Sequence, residues 1–339
     1  MDVAASVDAD FDRLYLRAEE AGLLPLTVHR MPVGSATILE PRLGPEPTGA
    51  GPPRCPVGPA KLFLDGADRC AICASSRDLA RAALGTLRNV GTQGLAALRA
   101  ATRIEGFHRG TDGLWHRGIS FWRTAELAAQ VEAAAAAGLQ VAQHALGNEA
   151  VGQALDALER SGTGLRELPG HPRLEHTMLL DATLERRMAA AGVIAVVQPL
   201  FVSELGDELR RVGLPGDLRL LGYRSLLDAG VGVAGSSDYP VAGYEPLAAI
   251  QAAVTRRTAG GAELGAEQAI RVDEALRMYT VEAARSLGIE RDAGSLAEGK
   301  RADLIVLGAD PRSADPARLA EIPVRRAYVG GKCSYRASG

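Results

Sequence analysis

Short apolar runs alternating with longer stretches of helical period constrain this chain more than any other feature. "LTVHR" (26–30), "AKLFLD" (60–65), "LQVAQH" (139–144), "RLEH" (173–176), "VIAVVQ" (193–198) and "VGVAGSSD" (231–238) have the length and content of buried strands. Alanine-rich helical segments lie between them. In "RTAELAAQVEAAAAAG" Thr124 is the expected cap and Gly138 the stop, and "NEAVGQALDALERSG" is expected to start at a capping Asn148 and end at Gly162. Strands and helices in this order make a parallel α/β fold.

Four of these strands end on a group that can bind a metal or move a proton. In a (β/α)8 barrel the active site is built from the C-terminal strand ends, so His144, His176 and Asp238 would converge although they are far apart in sequence. The two histidines are spaced by about one βα repeat, which places them on adjacent strands as neighbouring metal ligands. Asp238 offers a carboxylate to ligate the ion or take a proton from water. Lys61 lies within its strand and is expected to point into the barrel mouth. His29 also ends a strand, whereas His108, His116 and His171 read as loop residues.

Composition excludes several other functions. The 339 residues hold 38 Lys plus Arg and 41 Asp plus Glu, a net charge of −3, with no basic tract to follow a phosphate backbone. Nucleic acid is therefore not an expected partner. The longest apolar runs, such as "VIAVVQPLFV" (193–202), are too short to cross a bilayer, and the acidic N-terminus has no signal-peptide pattern. A soluble, cytoplasmic protein without membrane partners is expected. Of the four cysteines, Cys55, Cys70, Cys73 and Cys333, one pair forms a lone "CAIC", and reduced thiols are expected of all four. The Pro/Gly-rich stretch 40–59 is expected to be an irregular loop over one mouth of the fold. From residue 289 short strands with turn glycines suggest an appended β unit.

In order, "KLFLDG", "HALGNEAVGQALDALE", "RLEHTMLL", "VVQPLF", "LGYRSLLDAGVGVAGSSDYPV", "EPLAAIQAAVTRRT" and "GSLAEGKRADLIVL" resemble the amidohydrolase superfamily, in its YtcJ-like, amidohydrolase family 3 branch. The resemblance runs over residues 20–336. It implies a distorted TIM barrel with a β-sandwich, and hydrolysis of amide or other non-peptide C–N bonds in a small-molecule substrate by metal-activated water. It also implies a divalent metal, commonly zinc, as one or two ions.

Residue by residue, Lys61 matches the family's bridging lysine, which CO2 can convert to a carbamate. His144 and His176 match the histidines of the fifth and sixth strands, and Asp238 the aspartate of the eighth, a metal ligand and the proton shuttle. Gln198 ends the seventh strand as a candidate substrate contact, and Asp65 with Gly66 supports Lys61. Asn148 stands where the family usually has an aspartate.

The family's first-strand HxH is absent, since no two of the six histidines are separated by one residue. "LTVHR" then corresponds to the third barrel strand. The expected architecture is an incomplete (β/α)8 barrel over residues 1–288 with a small β-sandwich remnant over 289–339. Open sheet edges predict a homo-oligomer. The alternative function is a catalytically impaired amidohydrolase-like chain that needs a partner.

Overall fold

The computed structural model describes residues 2–6, 9–32, 46–67, 69–82, 84, 107–161, 170–211 and 214–337. Gly162 and residues 40–45 of the Pro/Gly-rich stretch lie outside them. Five strands form a wholly parallel sheet in the order β12–β10–β8–β7–β3. They are β3 (Ala60–Phe63), β7 (Val141–Ala145), β8 (Arg173–His176), β10 (Ile194–Val197) and β12 (Gly232–Gly235). All five coincide with predicted strands to within a few residues. The "LTVHR" strand is β2 (His29–Pro32), which joins this row through a parallel bridge between Arg30 and Val57.

A strand that the sequence reading lacks, β1 (Asp2–Ser6), pairs parallel to β2, with the helix Ala9–Glu20 between them. "DVAAS" holds a single β-branched residue and so carries almost no strand signal. "LTVHR" is therefore preceded by one more parallel strand than the sequence suggests.

The register sets two rows of residues across the sheet. Lys61, Ala142, Arg173, Ile194 and Gly232 stand side by side, and Phe63, His144, Glu175, Val196 and Ala234 form the next row. Alternation puts both rows on one face and Leu62, Leu174, Ala195, Val197 and Val233 on the other. The second set packs in a continuous apolar core against the helices Thr124–Ala136, Asn148–Arg160 and Ala182–Ala191, through Leu127, Val131, Leu155 and Met188. Each such buried Leu or Val contributes about 1.5–3 kcal/mol. On the first face Ile194, Val196 and Ala234 make a small separate cluster beside the polar side chains.

Two helix caps differ from expectation. The N-cap of Thr124–Ala136 is Arg123, and that of Asn148–Arg160 is Gly147, so Asn148 is already helical and its side chain is used elsewhere. The described part of the Pro/Gly-rich loop lies against strand starts, at the end of the sheet opposite His144 and His176. Thr48 Oγ1 accepts from Gln140 N at 2.9 Å and donates to Gly58 O at 3.0 Å, tying the loop to the starts of β7 and β3.

Before β7, β4 (Ile72–Ala74), β5 (His108–Arg109) and β6 (Trp115–Arg117) form a small antiparallel ribbon in the order β4–β6–β5. His108 and His116 therefore sit in strands rather than loops. Two short strands, β9 (Leu179–Leu180) and β11 (Arg219–Leu220), pair antiparallel. Near the C-terminus β13 (Leu304–Leu307), β14 (Val324–Val329) and β15 (Lys332–Arg336) make an antiparallel sheet, and Leu319 and Ile322 join the main core. No helix among the described residues is long and apolar enough to cross a membrane. None of the four cysteines is in a disulfide.

Candidate active site at the strand ends

His144 and Glu175 are register partners on one face, so regular alternation would turn His176 to the other. His176 instead has φ 75°, followed by Thr177 at 46°, and this left-handed step breaks the alternation. Its ring meets His144, with Nε2 3.0 Å from His144 Nδ1. Asp238 also has a positive φ, 56°. Such backbone costs of order 1–3 kcal/mol per residue, and such residues gather at functional sites.

The hydrogen bonds around this pair assign its protons. Gln198 donates from Nε2 to Val196 O (3.1 Å) and Ser236 Oγ (2.9 Å), which leaves Oε1 to accept from His176 Nδ1 at 2.9 Å. His176 Nε2 is then a bare lone pair aimed at His144 Nδ1. Both rings are neutral near pH 7. Burial first, then the charges of His176 and Lys61, drives His144 down to about 2. Burial and Lys61 hold His176 at about 4.

With no cation present, the proton between the rings must come from His144 Nδ1. That strips Nε2 of His144, a buried atom with no hydrogen-bond partner that lies 3.8 Å from Asp65 Oδ1. A cation held by Nδ1 of His144 and Nε2 of His176 would return the proton to Nε2, facing the Asp65 carboxylate. Each ring would then turn its N–H to an oxygen and its lone pair to the metal, the usual arrangement of metal-binding histidines.

Asp65 is built for this place. Its carboxylate accepts from the backbone of Ala71 (3.0 Å), Leu146 (3.0 Å) and Gly147 (2.9 Å), so it clasps the loop that follows β7. Burial nevertheless raises its pKa to about 6 against those bonds. It also faces His144, with Oδ1 3.8 Å from Nε2. Gly147 is required there, because a side chain would run into the Ala71 carbonyl. Asn148 binds the backbone of Cys73 at both N (3.1 Å) and O (2.9 Å), fastening the ribbon to the helix that begins just after His144.

Lys61 is buried one inward row below His144, with Nζ 5.4 Å from the centre of the Phe63 ring. Asp238 lies at the mouth, its surface open to solvent while the protein packed around it partly desolvates the carboxyl. Burial raises its pKa first, Lys61 lowers it and Glu175 raises it further, so all three groups share one field. The sequence reading misses the buried ion pair beside them. Arg173 binds Glu175 Oε1 through Nε (2.9 Å) and Nη2 (2.7 Å). The signal was present in "RLEH", where two charges at alternate positions of a buried strand must face the same interior.

Among the described residues no three His, Cys, Asp or Glu side chains converge as a ready metal site. The two histidines meet, Asp65 and Gln198 brace them, and Lys61 and Asp238 border them. A cavity of about 450 Å³ opens above, lined by His144, His176 and Asp238 and walled mainly by apolar side chains, among them Ile72, Phe107, Met178 and Phe201. A second cavity, of about 300 Å³, lies elsewhere. Its Arg277, Glu282 and Arg285 pair with one another at 2.8–2.9 Å.

Residues 6–335 match the model of the amidohydrolase family. The chain belongs to amidohydrolase family 3. It is 36% identical over 229 residues to the N-substituted formamide deformylase of Arthrobacter pascens, covering 66% of this chain and 42% of that protein. It is 32% identical over 205 residues to the putative amidohydrolase YtcJ of Bacillus subtilis strain 168, covering 59% and 38%. The fold matches an uncharacterized metal-dependent hydrolase from Pyrococcus horikoshii OT3 with a TM-score of 0.64 and 23% identity, over 92% of this chain and 56% of that one. A second such hydrolase, from Pyrococcus furiosus, matches with a TM-score of 0.57 and 22% identity, over 86% and 52%. This amidohydrolase chain thus spans about half the length of these relatives, or less.

Proposed function

We propose that this amidohydrolase cleaves an amide or other non-peptide C–N bond of a small molecule with the help of a divalent metal, zinc by the family's habit, as one ion or two. The observation that carries the reading is the pair of neutral histidines whose facing nitrogens, His144 Nδ1 and His176 Nε2, lie 3.0 Å apart while Gln198 and Asp65 lie against their outer nitrogens. His144, His176 and Asp238 would hold the ion, with Lys61 as a fourth donor. An ammonium repels a cation, so Lys61 takes this role only as a CO2-derived carbamate. When bound, the metal polarises the scissile carbonyl and makes water a nucleophile at neutral pH.

The chain's own groups do the rest. Gln198 fixes the His176 tautomer and borders the substrate site, and Asp65 fixes the ring of His144. The Asp238 carboxyl, raised above its ordinary value by burial, takes a proton from water and delivers it to the leaving nitrogen. Residues 1–288 form the catalytic part, an incomplete barrel, and 289–339 a sandwich remnant. Among the described residues β12 is paired on one side only, and this favours a second reading in which another copy or subunit completes the barrel and the activity.

Metal analysis of protein grown and dialysed with zinc, intact mass for CO2 added at Lys61, and turnover of a panel of N-substituted formamides and other amides test the proposal. Bound metal and turnover of at least one amide are expected. Absence of both defeats it. Specific activity that rises with protein concentration supports the second reading, and a fully active monomer removes it.

A further inference from the structure

The ribbon forms one wall of the cavity. Ile72 of β4 and Arg117 of β6 line it, with Cys70 just before β4 and Phe107 just before β5. Successive residues of β6 face opposite sides. His116 turns away, its Nδ1 3.0 Å from Glu149 Oε2 and its Nε2 3.1 Å from Asp112 Oδ2. Arg117 turns inward, and Gly118 holds the strand close, since a side chain there would strike the Cys70 carbonyl.

Among the described residues several buried or partly buried arginines are paired: Arg173 with Glu175, Arg219 with Glu185, and Arg224 with Asp228 and Glu274. Among the described residues Arg117 forms no ion pair or side-chain hydrogen bond, although it is half-buried in a largely apolar wall. Among the described residues it is also the one permanently cationic side chain lining the cavity, whose other charged lining groups are the exposed Glu208, on the short helix Gly206–Leu209, and Asp238. A half-desolvated guanidinium with its planar fork unused matches a carboxylate in shape and charge.

We infer that Arg117 selects an amide whose apolar substituent carries a carboxylate. The apolar wall takes the substituent, Arg117 takes the anionic end, and the scissile bond is left at the His144–His176 end. This assignment of substrate class rests on the proposed hydrolase reading, and its test does not.

The test is calorimetric binding of 3-phenylpropionate and its neutral isostere 3-phenylpropanamide to the full chain, with turnover of amides measured separately. The carboxylate is expected to bind at least about tenfold more tightly, the scale of one charge-assisted bidentate contact. Arg117→Gln is expected to bring the ratio close to one, and Arg117→Lys to keep part of it in a protein of unchanged melting behaviour. Equal affinities in the wild type, or a preference that survives Arg117→Gln, overturn the inference. Loss of amide turnover with the anion preference intact would count against the hydrolase reading and leave the Arg117 site standing.

Discussion

The two faces of one five-stranded sheet obey different physics. Leu62, Leu174 and Val233 on the helix side are fully buried in a continuous apolar core. One residue along the same strands, Lys61, Arg173, Glu175 and His144 are almost as deeply buried and carry charge or polar hydrogens. The first face is held by area removed from water, which tolerates approximate fit. The second is held by compensation, in which Arg173 and Glu175 depend on each other and His176 on His144 and Gln198. An interior of this kind is poor material for stability and good material for a site, because its groups are pre-oriented and their proton affinities displaced.

Glu175→Ala should separate the faces most sharply. It leaves the Arg173 guanidinium buried without its carboxylate, and breaking such a pair costs about 3–5 kcal/mol. Chemical unfolding should show this loss at neutral pH. The Arg173 and Lys61 charges hold the Glu175 carboxyl below its usual range although it is buried, so its contribution is complete above the ordinary carboxylate pKa and fades as pH falls through the folded value. A loss under about 1 kcal/mol would mean that the inner face is not locked by this pair.

Leu174→Ala, one residue away and facing the helices, should cost about 2–5 kcal/mol by losing contacts and leaving a cavity. This cost should barely change between neutral and acid pH. If it tracked pH as the Glu175→Ala cost does, the two faces would not be independent.

A third expectation concerns the histidine pair in chelator-treated protein. Both folded pKa values lie below that of a free histidine, so the unfolded chain takes up protons near pH 6.5 that the folded chain refuses. Stability is therefore complete above pH 6.5 and is lost as pH falls from there. The slope is about 1.4 kcal/mol per pH unit for each histidine, or about 2 kcal/mol from His176 alone by pH 5. Asp65 opposes this, because its raised pKa lets the folded protein gain a proton near pH 6 that the unfolded chain takes only near 4. Unfolding curves at pH 7, 6 and 5 should show a loss that sets in near 6.5 and is larger from 6 to 5 than from 7 to 6, flattened in His176→Asn. An unchanged wild-type midpoint across that range would remove the argument.

What the sequence made legible follows the same division. The apolar face announces itself by alternation, so β3, β7, β8, β10 and β12 were all visible, and the strand-end histidines stood out because an imidazole there needs a reason. The ribbon was not visible, since β5 and β6 are two and three residues long and hold no repeat. Nor was Asn148 readable as more than a cap, because its real partner, Cys73, lies on a strand far back in the chain. Long-range polar pairing leaves no periodic trace, and so the candidate site was legible as a list of residues while its bracing by Asp65 and its wall at Arg117 were not.

The ribbon offers the last and smallest test, because it uses ion pairs in water where β8 buries one. Hydrogen bonds donated to Glu149 and then to Asp112 raise the pKa of His116, with partial burial opposing them. A raised histidine stabilises below its unfolded pKa, and the effect is lost as pH rises through the folded value. His116 is part-buried but its partner Asp112 is half open to solvent, so screening should keep its share below about 1 kcal/mol. An NMR titration of the His116 ring should give a midpoint above 6.5 that falls toward 6.5 in Glu149→Gln and with added salt. The Arg173–Glu175 pair, shielded from ions, should keep its stabilising effect in the same salt. A His116 midpoint at or below 6.5 would show that the ribbon is held to the helix by Asn148 and backbone contacts alone, leaving the inner sheet face as the place where this chain depends on charge.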